Sequence, residues 1–159
     1  MAEIKKPILI FMPSMEGGGV EKNIIIISNY LSKFTNNLKL ITYDKKFKKH
    51  FKKNIKIISP RYKKKKPSKY FKYFLCLILL IKEVLYEKDV LVFSFQANIY
   101  CIIICKLFSV KVISRSNSAP IGWSKNFIKN FIFRFVLKLS NEVLVNSYQF
   151  KNDLKKEFN

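Results

Sequence analysis

The sequence predicts an α/β fold built on a parallel sheet with helices on both faces. Three observations carry this. Six short apolar runs alternate along the chain with stretches of helical periodicity. Runs such as Val90-Leu91-Val92-Phe93 are continuously apolar, as strands covered on both sides are, rather than alternating like strands with one wet face. Three of the four glycines stand together at Gly17, Gly18 and Gly19, between the first apolar run and the first helical stretch. Strand, glycine turn and helix in that order open a doubly wound, Rossmann-like unit, for which the expected strand order is 3-2-1-4-5-6. At 159 residues the chain is long enough for one such domain with a full core.

The elements follow in order. Ile8-Leu9-Ile10-Phe11-Met12 is the first strand. In the helix after the glycines, Val20, Ile24, Ile27, Leu31 and Phe34 recur at spacings of three and four and form one apolar stripe. The second strand is expected over 38–43, and a short third over 55–58, closed by Ser59-Pro60. A helix is expected over about 68–86. Within it, 73–81 is apolar all round, which predicts a segment either deeply buried or facing lipid. Strand four covers 90–94, a short helix 99–108, strand five 111–114, a long helix 123–139, strand six 143–146, and a last helix 149–158. There is no internal repeat.

The glycine turn has a specific chemical use. Glycines let the backbone turn sharply and approach a ligand closely. The free amides at a helix start, with the helix dipole behind them, favour an anion such as a phosphate. Gly17, Gly18 and Gly19 are therefore read as a phosphate-binding loop, against the plainer reading of a strand-to-helix turn.

Composition narrows the function classes. The formal net charge is +21, which points to an anionic partner, although lysine enrichment throughout the chain accounts for part of it. Cys76, Cys101 and Cys105 lie inside apolar runs with no C-x-x-C pair, so neither zinc nor a redox pair is indicated and no metal is expected. Buried free thiols suit a reducing cytosol. His50 is the only histidine and sits in a lysine-rich stretch, which argues against Ser-His-Asp or Cys-His catalysis. No signal-peptide pattern opens the sequence, and no apolar run approaches the roughly 20 residues of a spanning helix.

From Lys45 to Lys72 there are fourteen basic residues and no acid. Phe47, Phe51, Tyr62, Tyr70, Phe71 and Tyr73 are interleaved with them. Three readings stand: a solvated loop, a nucleic-acid surface that neutralises phosphates and stacks bases, or an anionic membrane surface. The membrane candidates are Lys63, Lys64, Lys65, Lys66, Lys69, Tyr70 and Phe71, with the aromatic side chains entering the interface.

Other polar residues fall just after predicted strands, at the carboxyl edge where parallel sheets bind ligands. Glu16 lies beside the glycines and is suited to act as a base or to bind a sugar hydroxyl. Ser94, Gln96 and Asn98 follow the fourth strand. Arg115 and Asn117 lie in Ser114-Arg115-Ser116-Asn117-Ser118 after the fifth, where the guanidinium is suited to grip a phosphate or carboxylate. Asn146 and Ser147 follow the sixth.

Taken together these residues resemble the N-terminal domain of a GT-B glycosyltransferase of the large retaining group called family 4. Gly18-Gly19-Val20-Glu21-Lys22 is similar to that family's G-G-[AV]-E-[KR] loop at all five positions. The stretch 89–94 through Val112-Ile113 resembles its fourth strand, short helix and fifth strand. Ser114-Arg115-Ser116-Asn117 resembles an S-E-R-N variant, and 141–147 its last N-domain strand, ending in a serine. The resemblance implies hexosyl transfer from a nucleotide-sugar to a cell-surface glycan or lipid-linked acceptor. The nucleotide-sugar is then a co-substrate and no cofactor is needed. It implies that the glycine loop approaches the donor diphosphate and that Glu16, Ser94, Gln96, Asn98, Arg115, Asn117 and Ser147 face the acceptor. It also implies that residues 1–159 are the N-terminal, acceptor-side domain without the donor-binding C-terminal domain, inactive alone: a truncated gene product, an excised domain, or one part of a split enzyme whose partner is a separate C-terminal domain chain. A cytoplasmic protein, peripheral on the inner face of the plasma membrane, is expected. No catalytic residue is assigned.

Two other readings remain. A dinucleotide-binding domain of the NAD(P) type fits Gly17 and Gly19 as G-x-G, with Asp44 ending the second strand where a ribose-binding acid lies. Against it, Lys22 occupies the third glycine position of G-x-G-x-x-G. A nucleic-acid-binding module would rest on the basic stretch from Lys45 to Lys72, with nucleic acid the less favoured partner.

Overall fold

The structure is a computed structural model and is described for residues 4–62, 64–116 and 127–158. Six strands form one sheet: β1 (Ile8–Phe11), β2 (Leu38–Ile41), β3 (Ile55–Ile58), β4 (Leu91–Ser94), β5 (Lys111–Arg115) and β6 (Glu142–Leu144). All neighbouring pairs are parallel, and the order is β3-β2-β1-β4-β5-β6, as the alternation predicts. The helices are α1 (Gly19–Leu31), α2 (Lys69–Tyr86), α3 (Asn98–Leu107), α4 (Phe127–Lys138) and α5 (Tyr148–Phe158). A short 3-10 helix, Lys45–His50, occupies part of the basic stretch, where the sequence suggests no element. The start of the long helix expected over 123–139 falls outside the described residues.

The two faces of the sheet carry different numbers of helices. Ile8, Ile10, Met12, Leu38, Leu40 and Phe93 pack with Ile24 of α1, and Phe47 and Phe51 of the basic stretch join that cluster. Leu9, Phe11, Ile41, Val92 and Val112 pack under α2, α3, α4 and α5. β1 is central, covered on both sides, and buried at every residue; β3 and β6 are the edges, and in β6 Glu142 and Leu144 are exposed. Burying a Leu or Ile fully is worth about 1.5–3 kcal/mol, so β1 and its neighbours anchor the domain.

Local chemistry sets the element ends. Ser68 caps α2, its hydroxyl accepting from the Phe71 amide at 3.2 Å. α3 starts after Ala97 in the left-handed region. It ends at Ser109, also left-handed, with the Val110 amide reaching back to the Cys105 carbonyl at 2.8 Å. Lys39 on β2 reaches Glu83 at 3.0 Å and Glu87 at 2.9 Å near the end of α2. Burial lowers the Lys39 pKa and the two glutamates more than offset it, so the ammonium is held above its usual range.

Of the two expectations for 73–81, deep burial is corrected: the segment is not wrapped in neighbours. α2 lies on the sheet like an ordinary surface helix and buries only Cys76, Leu80 and Val84. The apolar residues on its other side, Phe74 and Ile78, are 61% and 48% exposed. A helix resting on a sheet covers one stripe, so a sequence apolar all round leaves the opposite stripe in water.

Candidate functional site

The carboxyl edge of the sheet brings most of the sequence-predicted residues together. The loop from β1 to α1 is held from inside. Glu21, in the first turn of α1, folds back so that its carboxylate accepts from the Glu16 amide at 3.0 Å and the Gly18 amide at 2.9 Å. Burial raises the Glu21 pKa, but the amides of Glu16, Glu21, Gly18 and Gly17 outweigh it and leave the carboxyl below the usual range. The glycine-rich turn is thus half of a capping box, with the N-cap position filled by Gly18, which has no side chain to complete it.

This geometry refines the phosphate-loop reading. The Gly18 amide is already given to Glu21, while the amides of Gly19 and Val20, at the open end of α1, have no partner among the described residues. Gly17 has φ of +108°, a conformation that favours glycine. A side chain at Gly18 would crowd the Glu21 carboxylate at 3.1 Å, and one at Gly19 would meet nothing within 4 Å. Glu16 is exposed and accepts from the Ser14 hydroxyl at 3.1 Å.

Asp44, just past β2, accepts from the Met15 amide at 2.9 Å and pairs with Lys72 of α2 at 2.9 Å. Lys72 also donates to the Ser14 hydroxyl at 3.2 Å. Asp44 therefore secures the glycine loop. A ribose, as the dinucleotide reading requires, would have to displace both contacts.

On the other side of the β1–β4 junction, the Gln96 side-chain oxygen accepts from the Ser14 amide at 2.9 Å and joins the two loops. Ser94 donates to Asn98 Oδ1 at 2.8 Å, and Asn98 Nδ2 donates to the Arg115 carbonyl at 2.8 Å. The Arg115 guanidinium lies over the Phe95 ring at 5.4 Å and donates from one terminal nitrogen to Asn146 Oδ1 at 2.7 Å. Its other terminal nitrogen is buried with no partner among the described residues. Burial alone pulls its pKa down. Ser147 caps α5, accepting from the Phe150 amide at 3.2 Å. Val145, Asn146, Ser147, Tyr148 and Lys151 line an open cleft of about 220 Å³ there. Asn117 lies outside the described residues.

The membrane candidates divide. Lys64, Lys65, Lys66, Lys69 and Tyr70 are exposed. Lys63 lies outside the described residues. Phe71 is a correction: it turns inward, packs against the core under α2 and meets Tyr62 edge-on at 6.2 Å. The aromatic interleaving expected for nucleic acid is also reduced, because Phe51 is buried and Phe47 packs beside it in the α1 core. Among the described residues, no helix is long and apolar enough to cross a membrane, and no three metal-ligating side chains cluster. The three cysteines are buried and form no disulfide among the described residues; burial, followed by its contact with Cys105, pushes the Cys101 thiol well up, away from a thiolate.

Sequence reasoning missed Lys72 and the anchoring role of Asp44, because their meeting depends on where α2 crosses β2. It also missed Glu21 as a loop clamp, although an acid three residues after the N-cap is a legible capping signal.

No family model and no curated protein sequence matches the chain. Solved structures do match in fold. HepE from Anabaena in complex with UDP-glucose superposes with a TM-score of 0.63 at 13% identity, covering 94% of this chain and 40% of that one. The same protein with UDP and glucose gives 0.64 at 12% identity, over 95% and 41%. The UDP-GlcNAc 2-epimerase of Methanocaldococcus jannaschii gives 0.56 at 15% identity, over 96% and 42%. The fold is therefore the Rossmann-like α/β unit found in such GT-B enzymes. The chain spans about two-fifths of the length of the structures it matches.

Proposed function

We propose that this chain is the acceptor-side domain of a GT-B enzyme acting on a nucleotide-sugar, and that the reaction is hexosyl transfer to a glycan or lipid-linked acceptor. The observation that carries the reading is the joined polar rim at the β1–β4 junction. Ser14, Gln96, Ser94, Asn98 and Arg115 form short hydrogen-bonded chains across the loops after β1, β4 and β5. The strand order changes direction between β1 and β4, and open α/β sheets bind ligands outside the carboxyl ends at such a point. The UDP-sugar ligand of HepE supports the nucleotide-sugar part of the reading. On this reading Gly19 and the start of α1 face the donor diphosphate, Glu16 and the rim face the acceptor, and a second domain supplies most of the donor site.

The test is transfer by the chain together with the second domain proposed to supply the donor site. It is incubated with labelled UDP-hexoses and a glycan-lipid fraction from its own source. Label in the fraction supports the reading. Label recovered only as an epimerised nucleotide-sugar overturns transfer in favour of epimerisation. The chain alone is expected not to turn over.

We also propose peripheral association with anionic membranes. Lys64, Lys65, Lys66 and Lys69 lie beside Tyr70, Phe74 and Ile78, an exposed stripe along α2. Polybasic attraction is about 1 kcal/mol per charge near such a surface and is screened by salt. Replacing Lys64, Lys65 and Lys66 by Ser is expected to cut sedimentation with phosphatidylglycerol vesicles at least about tenfold at low salt. Equal sedimentation of parent and variant would leave the basic run a solvated loop.

A further inference from the structure

We propose that Arg115 is the core of a binding site for an oxyanion, a phosphate or carboxylate carried by the acceptor, reached through the cleft at the start of α5. The site is distinct from the glycine loop, and the inference rests on the acceptor-side reading given above.

The argument starts from charge. A guanidinium stays protonated under all ordinary conditions, so burial cannot be relieved by losing the proton. Arg115 is 6% exposed, and one terminal nitrogen has no partner among the described residues. Buried charges are ordinarily paired with an opposite charge. Among the described residues the only side-chain acceptor is the neutral Asn146 amide, and Arg115 forms no ion pair. The sequence holds no acid between Asp89 and Glu142. The acids carried by the flanking elements are Glu142, at the far end of β6, and Asp153 and Glu157, beyond the first turn of α5. Neither Glu142 nor Asp153 lines the cleft.

The surroundings suit an anion. Asn146 is both the partner of Arg115 and a wall of the cleft. Asn146 thus stands between the guanidinium it bonds and the cleft it lines, and on this proposal its rotation is what admits the anion to Arg115. Lys151 lines the same cleft, and the first turn of α5 adds its amides and its dipole. The Phe95 ring centre lies 5.4 Å from the guanidinium carbon, a surface on which a planar, forked donor group can stack.

Position separates this site from the donor. β5 is two strands from β1, and neighbouring strands are about 4.8 Å apart, so Arg115 lies on the order of 10 Å from the glycine loop. That distance fits a second charged group on the acceptor rather than the donor diphosphate.

The chain has three arginines, Arg61, Arg115 and Arg134, so the guanidinium Nε–H region of a ¹H–¹⁵N spectrum holds three signals. Loss of one signal in Arg115→Lys assigns that residue. Inorganic phosphate, glucose 1-phosphate, glucuronate and glucose are then titrated into the intact chain. Saturable movement of the Arg115 signal with phosphate and glucose 1-phosphate, a Kd on the order of 1 mM, and no response to glucose supports a phosphate site. The same behaviour with glucuronate alone supports a carboxylate site. Asn146→Ala, which removes the neutral competitor, is expected to tighten anion binding about threefold, and Lys151→Ser to weaken it about threefold. No saturable movement of the Arg115 signal in the parent or in Asn146→Ala, with any anion, overturns the proposal. A silent Arg115 in an enzyme that still transfers sugar to a neutral acceptor defeats this site alone. Anion binding without any reaction of a UDP-sugar defeats the functional reading alone.

Discussion

At the β1 end of the carboxyl edge, the carboxylates of Glu16, Glu21 and Asp44 are all engaged, by the Ser14 hydroxyl, by the loop amides and by Lys72. At the β5 end the charge is a guanidinium, and among the described residues its side chain has only the neutral Asn146 to bond. The first region is closed on itself. Its acids hold a loop whose remaining donors, at Gly19 and Val20, point from the helix start. The second region is left electrostatically incomplete. The contrast teaches that the loop carrying the recognisable motif is largely a structural device. The less conspicuous arginine carries the stronger internal argument for a ligand.

The comparison breaks most readily at Asp44. Asp44→Ala leaves Lys72 and the Met15 amide without their partner in a setting where both side chains are largely buried. Removing one member of such a pair costs about 3 kcal/mol, or roughly 6–12 °C in Tm for a domain of this size. Thermal unfolding checks it. A loss below about 1 kcal/mol would mean that Lys72 finds water at no penalty and that the loop does not depend on Asp44.

Glu21 comes next. Glu21→Gln keeps the shape and weakens the acceptor, and is expected to cost about 1–2 kcal/mol. The pH dependence follows from the direction of its shift. The folded pKa lies below the ordinary glutamate value. Its stabilisation is therefore complete above that value and is lost as pH falls through the folded pKa. The parent and Glu21→Gln should differ at neutral pH and converge in acid. A difference that stays constant down to pH about 2 would show that the carboxylate charge is not what holds the loop.

The sheet was legible because its evidence is local and repeated. Continuous apolar runs such as Val90 to Phe93 admit few other interpretations, and the strand order follows from the alternation. The carboxyl-edge residues were legible by their place just after each strand. What stayed hidden depends on crossings. Nothing in the sequence says that Lys72 reaches Asp44 or that Gln96 reaches the Ser14 amide, since these pairs lie 28 and 82 positions apart. The direction of Phe71 was hidden for a related reason. Beside six lysines and tyrosines it looks like a surface aromatic, yet the phase of α2 on the sheet turns it to the core. The apolar character of 73–81 was visible, but which stripe would meet the sheet was not.

The smallest effect on stability should come from the glycines, and here the loop's structural and ligand roles separate. Gly17 has a backbone conformation that side chains rarely adopt, so Gly17→Ala should cost about 1 kcal/mol. Gly19 is the first residue of α1, and an added Cβ there meets nothing. Gly19→Ala should leave Tm within about 2 °C of the parent, since nothing must shift and alanine favours a helix. If the start of α1 faces a diphosphate, that open space is where the ligand sits. Gly19→Val, equally free of internal clashes, should then slow UDP-sugar turnover in the completed enzyme by at least about tenfold while the fold holds, the cost of a crowded close approach. Undiminished turnover by a folded Gly19→Val enzyme would reduce Gly19 to a helix-initiating residue, and the β5 end with Arg115 would remain as the ligand-facing half of the edge.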